Sequence, residues 1–273
     1  MKPEEYAAYD ALGLANLIRQ RDISRVEAVD AAAEIAERRN PEINAICYQA
    51  YEQARATAAE RDAKNSSGNL FDGVPYLLKD LFGEIEGWPE RRGSKILAEN
   101  KSAYTDSLTA RQLEAGLIPI GKTTTPEFGL IGVTESDAYG DTRNPWNLDH
   151  TPGASSGGSA AAVAAGIAPM AHANDGGGSI RIPASCSGLV GMKPLRGRMP
   201  NGPSGEVAFG LGAEHVVTRT VRDSAALMDL TCGMDVVRKI NAIKETRAVD
   251  DPYMRNQILV EPVVIKNAYR KGR

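Results

Sequence analysis

Hydrophobic and polar positions change spacing several times along this chain, and each change marks an element. Ser24-Arg25-Val26-Glu27 opens the first clear helix: the Ser24 hydroxyl and the Glu27 carboxylate can each satisfy a free amide of the first turn, and the helix is predicted to run towards Asn40. A second helix is predicted from Tyr51 to about Ala63, followed by the turn-forming cluster Asn65-Ser66-Ser67-Gly68-Asn69. The pattern then becomes an apolar run, Val74 to Leu78, which reads as a strand with Lys79 at its end. Ser107 to Ala115 is a short predicted helix, Gly116 its stop, and Leu117 to Ile120 a brief strand. Helices and strands alternate, which is the pattern of an α/β fold.

Two stretches of small residues come next. Thr151 to Ser159 leads into Ala160–Ala165, whose alanines favour a helix, with Gly166 as its stop. Ile167 to Met170 reads as an apolar strand, Ala173 to Ser179 as a second small-residue loop, and Arg222 to Thr231 as a further helix. From Met234 to Arg273 the sequence becomes charged and loses its periodicity. No internal repeat is present.

Composition narrows the picture only modestly. The 273 residues are 42% hydrophobic and 25% charged, as in ordinary globular proteins, which excludes disorder. A net charge of −3 gives no global field for gathering phosphate backbones, so no nucleic-acid partner is expected. Cys47, Cys186 and Cys232 are widely spaced, form no metal-ligand cluster and cannot all pair within the chain, which fits a reducing cytoplasm and no bound metal. The start, from Met1 to Leu14, lacks the basic and apolar run of a secretory signal, and no stretch approaches the roughly 18 apolar residues of a membrane span. The expectation is a cytoplasmic protein without a membrane partner.

The chemistry concentrates around the second loop. Amide hydrolysis needs a nucleophile, a group to take its proton, and donors for the developing oxyanion. Ser179 follows Gly176, Gly177 and Gly178, whose bare backbone amides can approach a substrate as an oxyanion hole. The bland alternative is a flexible linker. Against it, the loop runs directly into Ile180-Arg181-Ile182-Pro183, a β-branched and proline-bearing stretch that implies ordered chain. Asp175 and Arg181 can form an ion pair that holds the loop. Lys79, on an apolar strand, has a reference pKa of about 10.4 that desolvation can lower; its bland alternative is a surface lysine held protonated by Asp80, but strand alternation points those two apart. His150, His172 and His215 have no evident partners, which makes a Ser-His-Asp triad the weaker mechanism. Gly116-Leu-Ile-Pro-Ile-Gly-Lys122-Thr123 formally matches a phosphate-binding loop, but a helix precedes it, its variable positions read as strand and Pro126 breaks the stretch where a helix would have to start.

Gly153 to Gly166, read together with Asp175 to Ser185, resembles the amidase signature, and Gly73–Asp80, Gly121–Glu127 and Thr142–Asn147 fall in that family's order. The resemblance covers most of residues 10 to 234 and implies a mixed β-sheet core covered by α-helices. It implies a triad of Lys79 as base, Ser155 as relay after a cis peptide bond, and Ser179 as nucleophile forming an acyl-enzyme, with no cofactor. It also makes Ser156 and Ser159 supporting hydrogen-bond donors, with a helix-start role as the alternative for Ser159. Family members run to nearly twice this length, so residues 1–234 are expected to be the N-terminal part of a single amidase domain, incomplete on its C-terminal side, with 235–273 a divergent tail. Within the family, Gly73–Asp80 and Thr142–Asn147 are most similar to 6-aminohexanoate cyclic-dimer hydrolases, which open a cyclic diamide. The expected partner is a small-molecule amide, linear or cyclic, with a homodimer as a candidate assembly. The alternatives are a non-catalytic chain acting only with another chain, and a glutaminase-type amidotransferase subunit.

Overall fold

A computed structural model describes residues 1–64, 68–205 and 210–232. Residues 65–67 of the expected turn cluster and the whole of the expected tail, 235–273, lie outside the described residues. The capping box at Ser24 forms as read: Ser24 N donates to Glu27 Oε2 at 2.8 Å and Glu27 N donates to Ser24 Oγ at 3.0 Å. In chain order the helices are α1 (Pro3–Tyr6), α2 (Ala11–Gln20), α3 (Arg25–Ile43), α4 (Tyr51–Ala63), α5 (Ser107–Glu114), α6 (Gly157–Ala164), α7 (Arg181–Ser187) and α8 (Val221–Thr231). The strands are β1 (Ile46–Gln49), β2 (Pro75–Lys79), β3 (Ile118–Thr123), β4 (Glu135–Ser136), β5 (Gly140–Asp141), β6 (Met170–Asp175), β7 (Val190–Gly191) and β8 (Ala213–Thr218). α3 continues past Asn40 because Pro41 falls in its last turn, where the missing N–H costs a single hydrogen bond, and Asn44 then ends it in a left-handed conformation.

One mixed sheet runs in the order β1-β3-β2-β6-β8-β7, while β4 and β5 form a separate small hairpin. β3, β2 and β6 are parallel, and β1, β8 and β7 join antiparallel. The β2–α5–β3 and β3–α6–β6 connections run in opposite directions along the sheet, so right-handed crossovers put α5 and α6 on opposite faces. α3 and α4 pack together, with α3 also against α6, whereas α5 packs with α8. The mixed α/β class expected from the alternation is therefore what forms. Among the described residues, no helix is long and apolar enough to cross a membrane.

One segment differs from expectation, for a physical reason. The strand placed at Ile167–Met170 begins at Met170 and runs through Asp175, so the second loop shrinks to 176–179. Its polar residues His172, Asn174 and Asp175 are buried with partners, which an apolar-run criterion does not anticipate. The stretch after Ser179 is helix α7, with Pro183 in the first turn, where no intrahelical N–H donor is needed.

Helix α6 begins at Gly157, three residues before the alanine run, because its first turn lies against β3 and the loop after that strand. A Cβ on Gly158 would stand 2.6 Å from both Thr124 N and Thr124 O, and one on Gly157 would stand 2.8 Å from Thr134 Cβ. Backbone cannot yield as a side-chain end can. Gly158→Ala is therefore expected to destabilise the fold by about 3 kcal/mol, the upper range for overpacking, measured by urea unfolding. Ala160→Gly, in the same helix, is expected to cost only about 1 kcal/mol, measured in the same way.

Candidate active site

The C-terminal ends of parallel strands β2 and β6 bring together several of the residues expected to carry chemistry, at the place where ligands gather in α/β sheets. Lys79 ends β2 and is fully buried. Its Nζ lies 2.7 Å from Ser155 Oγ and 2.6 Å from Asn174 Oδ1. Among the described residues no carboxylate lies within ion-pair distance of it. Burial brings its pKa down to about 7, against the Glu214 and Asp175 charges, which raise it. Asp80, one residue on, faces away as alternation requires. It accepts from Arg91 N at 3.2 Å, Gly93 N at 3.4 Å and the Tyr139 hydroxyl, and lies 3.3 Å from Lys122 Nζ.

Lys122 is equally buried but has a different fate. Burial pushes its ammonium down, yet Glu84 at 2.8 Å and Asp80 outweigh burial and raise its pKa. It also donates to Pro89 O at 2.8 Å. The formal phosphate-loop match thus resolves into strand β3 with an ion-paired lysine, and no phosphate cradle forms there.

Ser155 precedes α6, and the Ala154–Ser155 peptide bond is cis. Ser156 Oγ bridges the backbone of Asn174, accepting from its N and donating to its O, each at 3.3 Å. Ser159 Oγ donates to His172 O at 2.7 Å and lies 2.8 Å from Thr123 Oγ1. Ser156 therefore supports the strand that carries Asn174, and Ser159 ties α6 to β6 and β3. Neither side chain caps the helix.

The loop that carries Ser179 is organised by Asp175. Arg181 Nε and Nη2 reach its two oxygens at 2.8 and 3.0 Å, and Gly178 N donates to Oδ1 at 2.7 Å. Ile180 N and Arg181 N add weaker bonds to Oδ2 at 3.2 and 3.4 Å. Burial alone would raise the Asp175 carboxyl, but Arg181 and these amides outweigh it and hold it below its ordinary value. The Gly178 amide is thus engaged with Asp175. Those of Gly176, Gly177 and Ser179 make no hydrogen bond among the described residues. Ser156 N donates to Ser179 O at 3.3 Å, which brings the Ser179 loop against the residue after Ser155. The Ser179 side chain is half-buried, and its hydroxyl likewise forms no hydrogen bond there.

Two histidines do have partners, contrary to the sequence reading. His172 Nε2 lies 2.9 Å from Glu214 Oε2, and His215 Nε2 lies 2.9 Å from Ser224 Oγ. Burial lowers both to about 4, and neither contacts Ser179. His150 lies on the surface. Sequence reasoning missed Asn174 and Glu214. The available signal was the alternation Ala171-His172-Ala173-Asn174, which puts two polar side chains on one strand face.

Comparison with known proteins places this geometry. The Amidase family model matches residues 27–257, running past the boundary expected at 234. The 6-aminohexanoate-cyclic-dimer hydrolase of Paenarthrobacter ureafaciens is 46% identical over 232 residues, spanning 82% of this chain and 45% of that protein. A solved structure of a 6-aminohexanoate cyclic dimer hydrolase complexed with substrate superposes with a TM-score of 0.77 at 42% identity, covering 83% of this chain and 47% of that one. A bacterial aryl acylamidase of the amidase signature family superposes with a TM-score of 0.75 at 36% identity, covering 82% and 48%. The chain spans about half the length of the relatives it matches.

The buried amine has a consequence for stability. The folded chain releases the Lys79 proton near pH 7, whereas the unfolded chain holds it until about 10.5, so unfolding takes up a proton between those values. The folded state therefore gains stability as pH rises through that window. Lys79→Met is expected to remove this rise, on the order of 4 kcal/mol between pH 7 and 10, in urea unfolding compared with the parent.

Proposed function

Because this chain belongs to the amidase family, we propose that it hydrolyses the carbon–nitrogen bond of a carboxylic amide with Ser179 as nucleophile, Ser155 as relay and Lys79 as base. The observation that carries this reading is the 2.7 Å contact between Ser155 Oγ and Lys79 Nζ, an amine poised by burial to be neutral near pH 7. In the first step the Ser179 hydroxyl turns towards Ser155 and its oxygen bonds to the substrate carbonyl carbon. The Ser179 proton passes to Ser155 as the Ser155 proton passes to Lys79. The amides of Gly176, Gly177 and Ser179 are the donors for the carbonyl oxygen as it gains charge. Collapse breaks the carbon–nitrogen bond, and the departing amine receives the proton back from Lys79 through Ser155. Water then attacks the acyl-enzyme by the same relay, releasing the acid and restoring Ser179.

The proposed substrates are small linear or cyclic amides of the aminohexanoate type. Support comes from the similarity to cyclic-dimer hydrolases and from Gly129: a Cβ there would stand 3.1 Å from Ser155 Oγ, and the adjoining Phe128, Leu130 and Ile131 are exposed and apolar, suited to a methylene chain. Residues 1–234 belong, in this reading, to a single amidase domain. A second reading, in which the chain acts only with another chain or a second copy, is favoured by exposed Leu195 and Val221 near edge strand β7.

The purified chain, assayed on short amides and on linear and cyclic aminohexanoate dimers, is expected to turn over at least one of them. Ser179→Ala and Lys79→Ala are each expected to lower kcat/KM by about 10³-fold or more. Equal turnover by Ser179→Ala and the parent overturns the mechanism. A folded, monomeric and inert parent chain on size-exclusion chromatography favours the second reading.

A further inference from the structure

We infer that Asn174 is a positioning residue that aims the free amine of Lys79 at Ser155, an assignment that rests on the hydrolytic reading above. The orientation of its amide is fixed by chemistry. Asn174 Nδ2 lies 2.6 Å from Leu81 O, and a carbonyl oxygen only accepts, so the nitrogen must face Leu81. Oδ1 must then face Lys79 Nζ, 2.6 Å away, as an acceptor. Ser156 holds the same residue through both its backbone N and its backbone O.

A neutral amine has two N–H groups and one lone pair. With one N–H given to Asn174 Oδ1, the amine is oriented so that its lone pair can take the Ser155 Oγ–H across the 2.7 Å contact. Without that acceptor, both N–H groups would compete with the lone pair for Ser155, and each donation opposes proton abstraction. The acceptor also has to be uncharged, because a carboxylate at this distance would hold Lys79 as an ammonium. Other ionisable groups face Lys79 from the neighbouring strands: Glu214 on β8, which is the cross-strand partner of Asn174, and Asp175 and His172 on β6. Glu214 is itself engaged by His172 at 2.9 Å. Asn174 thus supplies a directed, neutral contact in a pocket shared with the ionisable Glu214, Asp175 and His172.

The test compares the full chain with Asn174→Asp and Asn174→Ala. Lys79 is titrated directly by NMR on protein carrying ¹³Cε-labelled lysine, and Ser179 reactivity is followed by fluorophosphonate labelling across pH. Asn174→Asp keeps an acceptor but adds charge: the Lys79 pKa is expected to rise by about one unit or more, with the acid limb of labelling moving with it. Asn174→Ala removes the acceptor: labelling on the high-pH plateau is expected to fall about tenfold, without an upward shift of the limb. A residue that only held the fold would lower the melting temperature and leave the Lys79 titration of Asn174→Asp in place. That outcome, or parental plateau labelling by Asn174→Ala, overturns the assignment. If the parent neither turns over amides nor takes the label, the hydrolytic reading falls. The assignment, which rests on that reading, falls with it; a parent that is active while its Asn174→Ala variant labels like the parent overturns the assignment alone.

Discussion

Among the described residues two lysines are taken fully out of water, and the difference between them is whether a carboxylate goes with them. An ammonium without a counter-charge costs several kcal/mol to bury, so a buried lysine must be paired or must give up its proton. Lys122 is paired, with Glu84 and Asp80 both in reach. Among the described residues Lys79 Nζ is met only by the oxygens of Ser155 and Asn174, and burial lowers its pKa. The residue that decides between these fates is Asp80, the immediate neighbour of Lys79. Strand alternation sends Asp80 to the opposite side, where it serves Lys122 and the amides of Arg91 and Gly93. Were both on one face, Lys79 would be an ion-paired cation.

The small residues around α6 answer the same requirement. Ser155 has to approach an amine buried at the end of a central strand, so the helix it precedes must press against that sheet. Gly157 and Gly158 permit the approach, and the serines convert it into fixed geometry. Ser155 reaches Lys79 on β2, Ser156 reaches the Asn174 backbone on β6, and Ser159 reaches both β6 and β3. Across the site, Asp175 performs the equivalent service for the loop bearing Ser179. It collects the Gly178, Ile180 and Arg181 amides and the Arg181 guanidinium, while the amides of Gly176 and Gly177 remain uncommitted. An ionised carboxylate accepting several amides is a rigid anchor, because each donor loses more by leaving it than a neutral contact would cost.

Much of this was legible in the chain itself. The capping box at Ser24, the helix from Tyr51 to Ala63 and the run ending at Lys79 are local patterns, set by short-range hydrogen bonding and burial, and each formed where it was read. The order of the glycine- and serine-rich motifs identified the family, and alternation alone separated Lys79 from Asp80. Sequence could not show what meets across the sheet. β6 was misplaced by three residues because its buried positions are polar, and their partners, Glu214 on β8, Lys79 on β2 and Arg181 on α7, come from distant parts of the chain. Asn174 drew no notice for the same reason: its meaning lies in a carbonyl on one side and an amine on the other, 93 and 95 residues away. Local pattern determined which residues could carry the chemistry; the neutrality of Lys79 and the direction of its contacts were decided by long-range packing, since only the assembled sheet removes water and selects each buried group's partner.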